Sequence, residues 1–155
     1  MVEECVAFPG YEVFKCCDEE GEIKYVKSRE LNAYIKEVMG EEFTAKDFRT
    51  WAGTLIAALK LAELGAAEDE KLANKNILQA VDAVAERLGN TRDIARSSYV
   101  SPRVIEHYLE GSVIACQAKQ LEEVIVAEQG DLTEEEEALL ELLHKKLRRE
   151  LEQAA

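Results

Sequence analysis

A chain of 155 residues with 47% hydrophobic content is long enough to bury the core of one domain without disulfides or metal ions. Its formal net charge of −13 opposes spontaneous binding to nucleic acid or to an anionic membrane, because the long-range field repels both. No apolar run is long enough to span a bilayer, and the acidic start, MVEEC, lacks the apolar region of a secretion signal.

The cysteines and histidines give no metal-binding pattern. No Cys-x-x-Cys pair occurs, and the two histidines lie far apart in the sequence. This usage predicts reduced thiols in a cytoplasmic protein, no metal site and no cofactor; the cysteines are Cys5, Cys16, Cys17 and Cys116.

The first predicted elements are a β-hairpin and a helix. Residues 10–27 contain two stretches of alternating character on either side of the turn sequence DEEG, which predicts a hairpin. Ser28 is predicted to cap a helix that stops at Gly40. Its apolar stripe consists of Leu31, Tyr34, Ile35 and Val38.

Thr44 is predicted to open the next helix, with Asp47 in a capping-box position and Gly65 at the end. Apolar residues recur at helical spacing and are expected to face the core: Phe48, Trp51, Ala52, Leu55, Leu59 and Ala62.

The remaining sequence predicts further helices. One ends at Gly89 and turns Ile77, Val81, Val84 and Leu88 inward. Shorter helices follow Thr91 and Ser101, another covers 112–130, and the last begins at Thr133 with Glu136 completing a capping box. The expected fold is mainly α and forms a single domain over 1–155, with a hairpin at 10–27 and a helical bundle at 28–153.

The stretch LGNTRDIARSSYV, residues 88–100, is basic within an acidic chain. Between Arg87 and His107, four arginines against one aspartate and one glutamate give about +2. Two helix starts, at Thr91 and Ser101, lie in the same region. Helix starts and arginines together favour a bound anion, most simply a phosphate.

Lys46 and Arg49 support this interpretation, since they occupy the first turns of a helix, where the helix dipole disfavours cations. The alternative is that Arg49 pairs with Asp47, Glu42 or Asp93. A tyrosine at a helix junction, such as Tyr99, also serves more often in packing than in chemistry.

Two motifs carry a resemblance to a known family. FTAKDFRTWAGT, and after it VAERLGNTRDIARSSYVSPRVIEHYLEG, resemble the C-terminal part of the catalytic domain of type IB DNA topoisomerases of the bacterial and poxvirus kind. That family shares its fold and chemistry with the tyrosine recombinases. The resemblance implies that a tyrosine hydroxyl attacks a phosphate of duplex DNA, that a 3′-phosphotyrosyl link forms, and that the strand is later resealed.

Matched by position, Tyr99 corresponds to the nucleophile, Arg49 to the second catalytic arginine, and Asn90 to the place of a histidine or asparagine. An asparagine amide donates a hydrogen bond to a phosphoryl oxygen but does not titrate. The resemblance also implies phosphate or DNA contacts for the cations around them: Lys46, Arg92, Arg96 and Arg103.

In the family, the first catalytic arginine and the general-acid lysine lie upstream of the hairpin, and an N-terminal domain closes around DNA. We therefore expect little or no turnover from this chain alone. The alternative is an engineered or redesigned helical scaffold that keeps the fold and binds a protein partner. A third interpretation, an unrelated acidic helical protein, accounts for neither motif.

Overall fold

The computed structural model describes residues 14–114 and 132–154, which contain six helices and two short strands. The chain divides into two compact units, residues 1–47 and residues 48–155. The predicted fold class, mainly α with a small N-terminal hairpin, is confirmed. No helix within the described ranges is both long and apolar enough to cross a membrane.

The described part of the first unit starts at the predicted hairpin. Strands β1 (Lys15–Cys17) and β2 (Ile23–Tyr25) are antiparallel, with Cys16 opposite Lys24. The Asp18 carboxylate holds the turn, because it accepts the backbone N–H groups of Glu20 and Glu22 at 3.0 and 2.9 Å. Residues 10–13 of the predicted hairpin lie outside the described residues.

Helix α1 (Ser28–Met39) follows the hairpin. Its N-cap is Lys27 rather than the predicted Ser28, since the Glu30 carboxylate accepts the Lys27 N–H at 2.7 Å. Of the predicted apolar stripe, Ile35 is buried, and the remaining members, Leu31, Tyr34 and Val38, are exposed. Helical spacing fixes which residues share a face but not what covers that face.

Helix α2 (Ala45–Leu64) begins as predicted at Thr44, whose N–H and hydroxyl both donate to Asp47 Oδ2 at 2.8 Å. Residues 53–59 are all buried, so the middle of the helix is enclosed on every side. The prediction that Phe48 faces the core is wrong, because Phe48 is 52% exposed. It lies in the first turn of α2, before the buried stretch begins.

The other helices of the second unit are α3 (Glu70–Leu88), α4 (Arg92–Ser98), α5 (Pro102–Leu109) and α6 (Glu134–Ala154). The capping box predicted at the start of α6 is present: the Thr133 N–H donates to Glu136 Oε2 at 3.0 Å, and the Glu136 N–H donates to Thr133 Oγ1 at 3.2 Å. Of the helix predicted over 112–130, residues 112–114 have no regular structure and the rest lie outside the described residues.

The core of the second unit combines α2 with inward residues of its neighbours, including Ile77, Val81, Val84, Val104 and Leu139. Polar side chains are also buried in this unit, and for one of them, Tyr108, both hydrogen-bonding roles are used. The Tyr108 hydroxyl, on a residue 2% exposed, accepts from Asn76 Nδ2 at 2.6 Å and donates to the Gly65 carbonyl at 2.7 Å. Tyr108 thereby links α5, α3 and the end of α2.

Candidate active site

Three of the predicted site residues meet at the C-terminal end of α3. Arg49 Nη2 donates to the Leu88 carbonyl oxygen at 2.9 Å, and Asn90 Nδ2 donates to the same oxygen at 3.0 Å. The Arg49 guanidinium carbon lies 4.9 Å from the centroid of the Tyr99 ring, which is within cation–π range. The structure therefore brings Arg49, Asn90 and Tyr99 together.

The end of α3 explains how this cluster forms. Gly89 adopts φ +65°, a left-handed conformation that glycine takes without steric cost, and it ends the helix. The chain then turns back, so that the Asn90 amide returns to the Leu88 carbonyl. That carbonyl belongs to the last turn of α3, where carbonyls lack partners within the helix and the dipole is negative.

Arg49 is thus stabilised by a different partner from the carboxylates considered from the sequence. Among the described residues, its contacts are the Leu88 carbonyl and the Tyr99 ring rather than Asp47, Glu42 or Asp93. The positive side chain, exposed to solvent, compensates the negative end of α3 and lies against the tyrosine. Neither contact neutralises its charge, so Arg49 remains a full cation beside Tyr99.

The two tyrosines of the second unit, Tyr99 and Tyr108, differ in the hydrogen bonding of their hydroxyl groups. Within residues 14–114 and 132–154, no hydrogen bond engages the Tyr99 hydroxyl, whereas both hydrogen-bonding roles of the Tyr108 hydroxyl are occupied. Tyr99 is also half-buried, while Tyr108 is buried. Of the two, Tyr99 has the hydroxyl that is available to react.

The predicted phosphate-binding cations differ in their surroundings. Arg92 makes a two-point contact with Asp82, from Nε at 2.5 Å and from Nη2 at 2.7 Å. These hydrogen bonds hold the pKa of the Asp82 carboxyl below its ordinary value, and Asp82 raises the pKa of Arg92. Arg92 is therefore charge-compensated. Arg96 is exposed on α4, and Arg103 is half-exposed on α5.

Lys46 is exposed in the first turn of α2 and belongs to the first unit. The other six predicted site residues lie in the second unit. Within the described part of the chain, no group of three or more histidine, cysteine, aspartate or glutamate side chains is arranged to hold a metal ion.

Sequence reasoning missed two residues of the site, Gly53 and Thr54. The Thr54 hydroxyl donates to the Tyr99 carbonyl at 3.4 Å and accepts the Ser101 N–H at 3.1 Å. A Cβ atom at Gly53 would lie 2.6 Å from the Tyr99 carbonyl oxygen. The available signal was their position: Gly53 follows Arg49 by one helical turn and so lies on the same side of α2.

Comparison with known proteins identifies the family of the chain. The chain belongs to the DNA topoisomerase I family: the family model described as the catalytic core of eukaryotic DNA topoisomerase I matches residues 1–125. The resemblance to type IB topoisomerases found in the sequence is confirmed.

A viral relative is similar in sequence. The DNA topoisomerase 1B of Acanthamoeba polyphaga mimivirus is 38% identical over 96 aligned residues, and the match covers 59% of this chain and 29% of the viral protein. The chain therefore spans less than a third of the length of that relative.

Proposed function

We propose that this chain carries the strand-cleaving tyrosine of a type IB topoisomerase and that Tyr99 is the nucleophile. The Tyr99 oxygen forms a bond to a backbone phosphorus of duplex DNA, and the bond from phosphorus to the 5′ oxygen breaks. The tyrosine proton passes to solvent, and the 5′ oxygen gains a proton as it leaves. Resealing reverses these steps. The observation that carries the proposal is the Arg49 guanidinium 4.9 Å from the centre of the Tyr99 ring.

Arg49 supplies positive charge where the reacting phosphate must lie. A guanidinium has five N–H donors, and the Leu88 carbonyl uses one of them. The remaining donors are free to bind phosphoryl oxygens without breaking the contact to α3. Donors fixed in advance in this way stabilise the charge that develops on the transferring group.

Asn90 acts as a second, uncharged donor. Its amide nitrogen carries two hydrogens, and the Leu88 carbonyl takes one of them at 3.0 Å. The other is available for a phosphoryl oxygen. Because the amide does not titrate, this contribution is independent of pH across the neutral range.

We assign DNA contact to the predicted cations Lys46, Arg96 and Arg103, since Asp82 already holds Arg92. Phosphate contacts release counterions, so binding should weaken steeply as salt increases. The net charge of −13 further reduces affinity at long range. We therefore expect weak DNA binding that is detectable at low ionic strength.

That same net charge favours a second candidate function, a protein-binding module that retains the topoisomerase fold without its chemistry. Its negative surface suits a basic protein partner better than DNA. The two candidates differ in one outcome, the formation of a covalent link between the chain and DNA.

A covalent-trapping assay tests the first proposal. The substrate is a labelled duplex with a 5′-bridging phosphorothiolate at the cleavage position, because a thiolate leaves without needing a proton from a general acid. Samples at low salt are separated on a denaturing gel. We expect a shifted band with the unmodified chain and with Tyr108→Phe, and none with Tyr99→Phe.

Tyr108→Phe is the matched control, since it removes a phenolic hydroxyl from the same unit without touching the site. A band that persists in Tyr99→Phe contradicts the assignment of the nucleophile. No band with the unmodified chain, together with no retardation of DNA at low salt, favours the protein-binding module.

A further inference from the structure

The side of α2 that carries Arg49 also holds the backbone of the Tyr99 segment. Thr50 and Thr54 are one helical turn apart, as are Arg49 and Gly53, so all four lie on neighbouring rows of the helix. The segment between α4 and α5, residues 98–101, runs across these rows. Three of its backbone groups are bonded to α2 side chains.

Thr54 makes the central contacts. Its hydroxyl donates to the Tyr99 carbonyl at 3.4 Å and accepts the Ser101 N–H at 3.1 Å. Thr54 is 3% exposed, and Val100, which lies between the two bonded residues, is 5% exposed. The Thr54 hydroxyl thus satisfies a backbone carbonyl before Val100 and a backbone N–H after it, at the break between α4 and α5.

Gly53 allows the close approach that these bonds require. A Cβ atom at this position would lie 2.6 Å from the Tyr99 carbonyl oxygen and 3.0 Å from Tyr99 Cβ. The nearest atom is backbone, which cannot rotate away as the end of a flexible side chain can. Glycine inside a helix costs about 1 kcal/mol relative to alanine, and here the space beside Tyr99 accounts for it.

Thr50 adds a third contact, since its hydroxyl donates to the Ser98 carbonyl at 3.4 Å. The same helix therefore bears the cation that faces Tyr99 and fixes the backbone on both sides of Tyr99. The helix that carries Arg49 is thus also the helix whose threonines hold the Tyr99 backbone, while the Leu88 carbonyl of α3 holds the guanidinium itself.

We propose that Thr50, Gly53 and Thr54 form a backbone clamp that positions Tyr99 for attack, with Thr54 as the principal positioning residue. The proposal rests on the proposed function of Tyr99. None of the three touches the reacting atoms; they act by fixing the Cα position of the nucleophile. Displacement of a reacting group by about 1 Å is enough to reduce a rate about 100-fold.

The test compares Thr54→Val with Thr54→Ser in the trapping assay at saturating DNA. Valine keeps the shape and loses both hydrogen bonds, whereas serine keeps the hydroxyl. We expect the adduct rate to fall about tenfold or more in Thr54→Val and to stay within about threefold in Thr54→Ser, because only the former frees the Tyr99 segment. DNA affinity, measured by fluorescence anisotropy, should change less than about twofold in both, because neither removes a phosphate contact.

Tyr108→Phe serves as the control for a merely structural effect, because it removes a buried hydroxyl of the same unit away from Tyr99. A positioning role predicts a normal adduct rate in Tyr108→Phe, even where its thermal stability is as low as that of Thr54→Val. Equal rate losses in the two variants overturn the proposal, as does an unchanged rate in Thr54→Val. Gly53→Ala should lose more activity than Thr54→Val if it folds.

A second readout separates the clamp from the chemistry. In a chain labelled with 3-fluorotyrosine, the ¹⁹F resonance of Tyr99 is identified by its loss in Tyr99→Phe. We expect this resonance to shift in Thr54→Val and to stay in place in Thr54→Ser. If the unmodified chain forms no adduct, the proposed function fails. A shift of the Tyr99 resonance that occurs only in Thr54→Val then still supports the clamp, whereas an unchanged resonance in Thr54→Val contradicts the clamp as well.

Discussion

Replacement of Arg49 by alanine should separate chemistry from stability. The side chain is exposed, so its removal leaves no cavity and no buried unpaired group apart from the Leu88 carbonyl, which keeps the Asn90 amide at 3.0 Å. The lost hydrogen bond is worth about 0.5–1.5 kcal/mol, and an exposed cation–π contact adds about 0.5–1 kcal/mol. We therefore expect the free energy of unfolding to fall by roughly 1–2.5 kcal/mol.

The effect on the adduct rate should be larger. Loss of one donor to a developing oxyanion reduces a rate by about 10²–10³. Arg49→Lys keeps the charge but loses the planar fork of donors, so it should recover only part of the rate. Single-turnover formation of the adduct on the phosphorothiolate substrate measures the change in rate, and urea denaturation measures the change in the free energy of unfolding.

The reasoning fails if Arg49→Ala forms the adduct within about threefold of the unmodified rate, because one lost oxyanion donor is worth far more. It fails equally if the loss of rate is matched by unfolding under the assay conditions. A variant that is folded, binds DNA and has lost most of its rate supports the role given to Arg49.

Three other predictions follow from the contacts. Tyr108→Phe removes bonds to Asn76 and Gly65 and should lower the free energy of unfolding by about 1–3 kcal/mol in urea denaturation, with the adduct rate unchanged. Burial raises the pKa of Glu136, but hydrogen bonds from Trp51 and Thr133 outweigh this effect and hold the pKa below its ordinary value of 4.5. The stability that Glu136 contributes is therefore present above pH 4.5 and is lost as the pH falls through the lowered pKa. Glu136→Gln should accordingly reduce the acid dependence of the melting temperature. Asp82→Asn releases Arg92 and should tighten DNA binding at low salt and steepen its salt dependence by about one counterion, as measured by anisotropy titrations; an unchanged slope means that Arg92 does not reach DNA.

The structural features that could be predicted from the sequence are those that depend on residues close together in the chain. The contact of the Asp47 carboxylate with the Thr44 N–H and the capping box at Thr133 both join residues three apart, so the order of residues is sufficient to find them. The left-handed end of α3 at Gly89 is local for the same reason. Phe48 was misplaced because helical spacing does not reveal where along a helix the core begins.

The partner of Arg49 could not be predicted in this way. It is a backbone carbonyl 39 residues away, and a carbonyl has no signature in the sequence. The pairing of Arg92 with Asp82 joins two different helices and likewise depends on their packing. The clamp of Thr50, Gly53 and Thr54 could not be predicted either, because it depends on the Tyr99 segment crossing α2. The resemblance to a family identified Tyr99, Arg49 and Asn90 as a group, and the fold brings these three together.

The most direct test of the central claim is to locate the nucleotide on the protein. The adduct from the trapping assay is digested with nuclease and trypsin, and the peptides are identified by mass spectrometry. Trypsin should release residues 97–103, SSYVSPR, which contain Tyr99 as their one tyrosine, and residues 104–119, which contain Tyr108. The account predicts a nucleotide mass on the first peptide, at Tyr99. A nucleotide on the second peptide, or on any residue other than Tyr99, contradicts it.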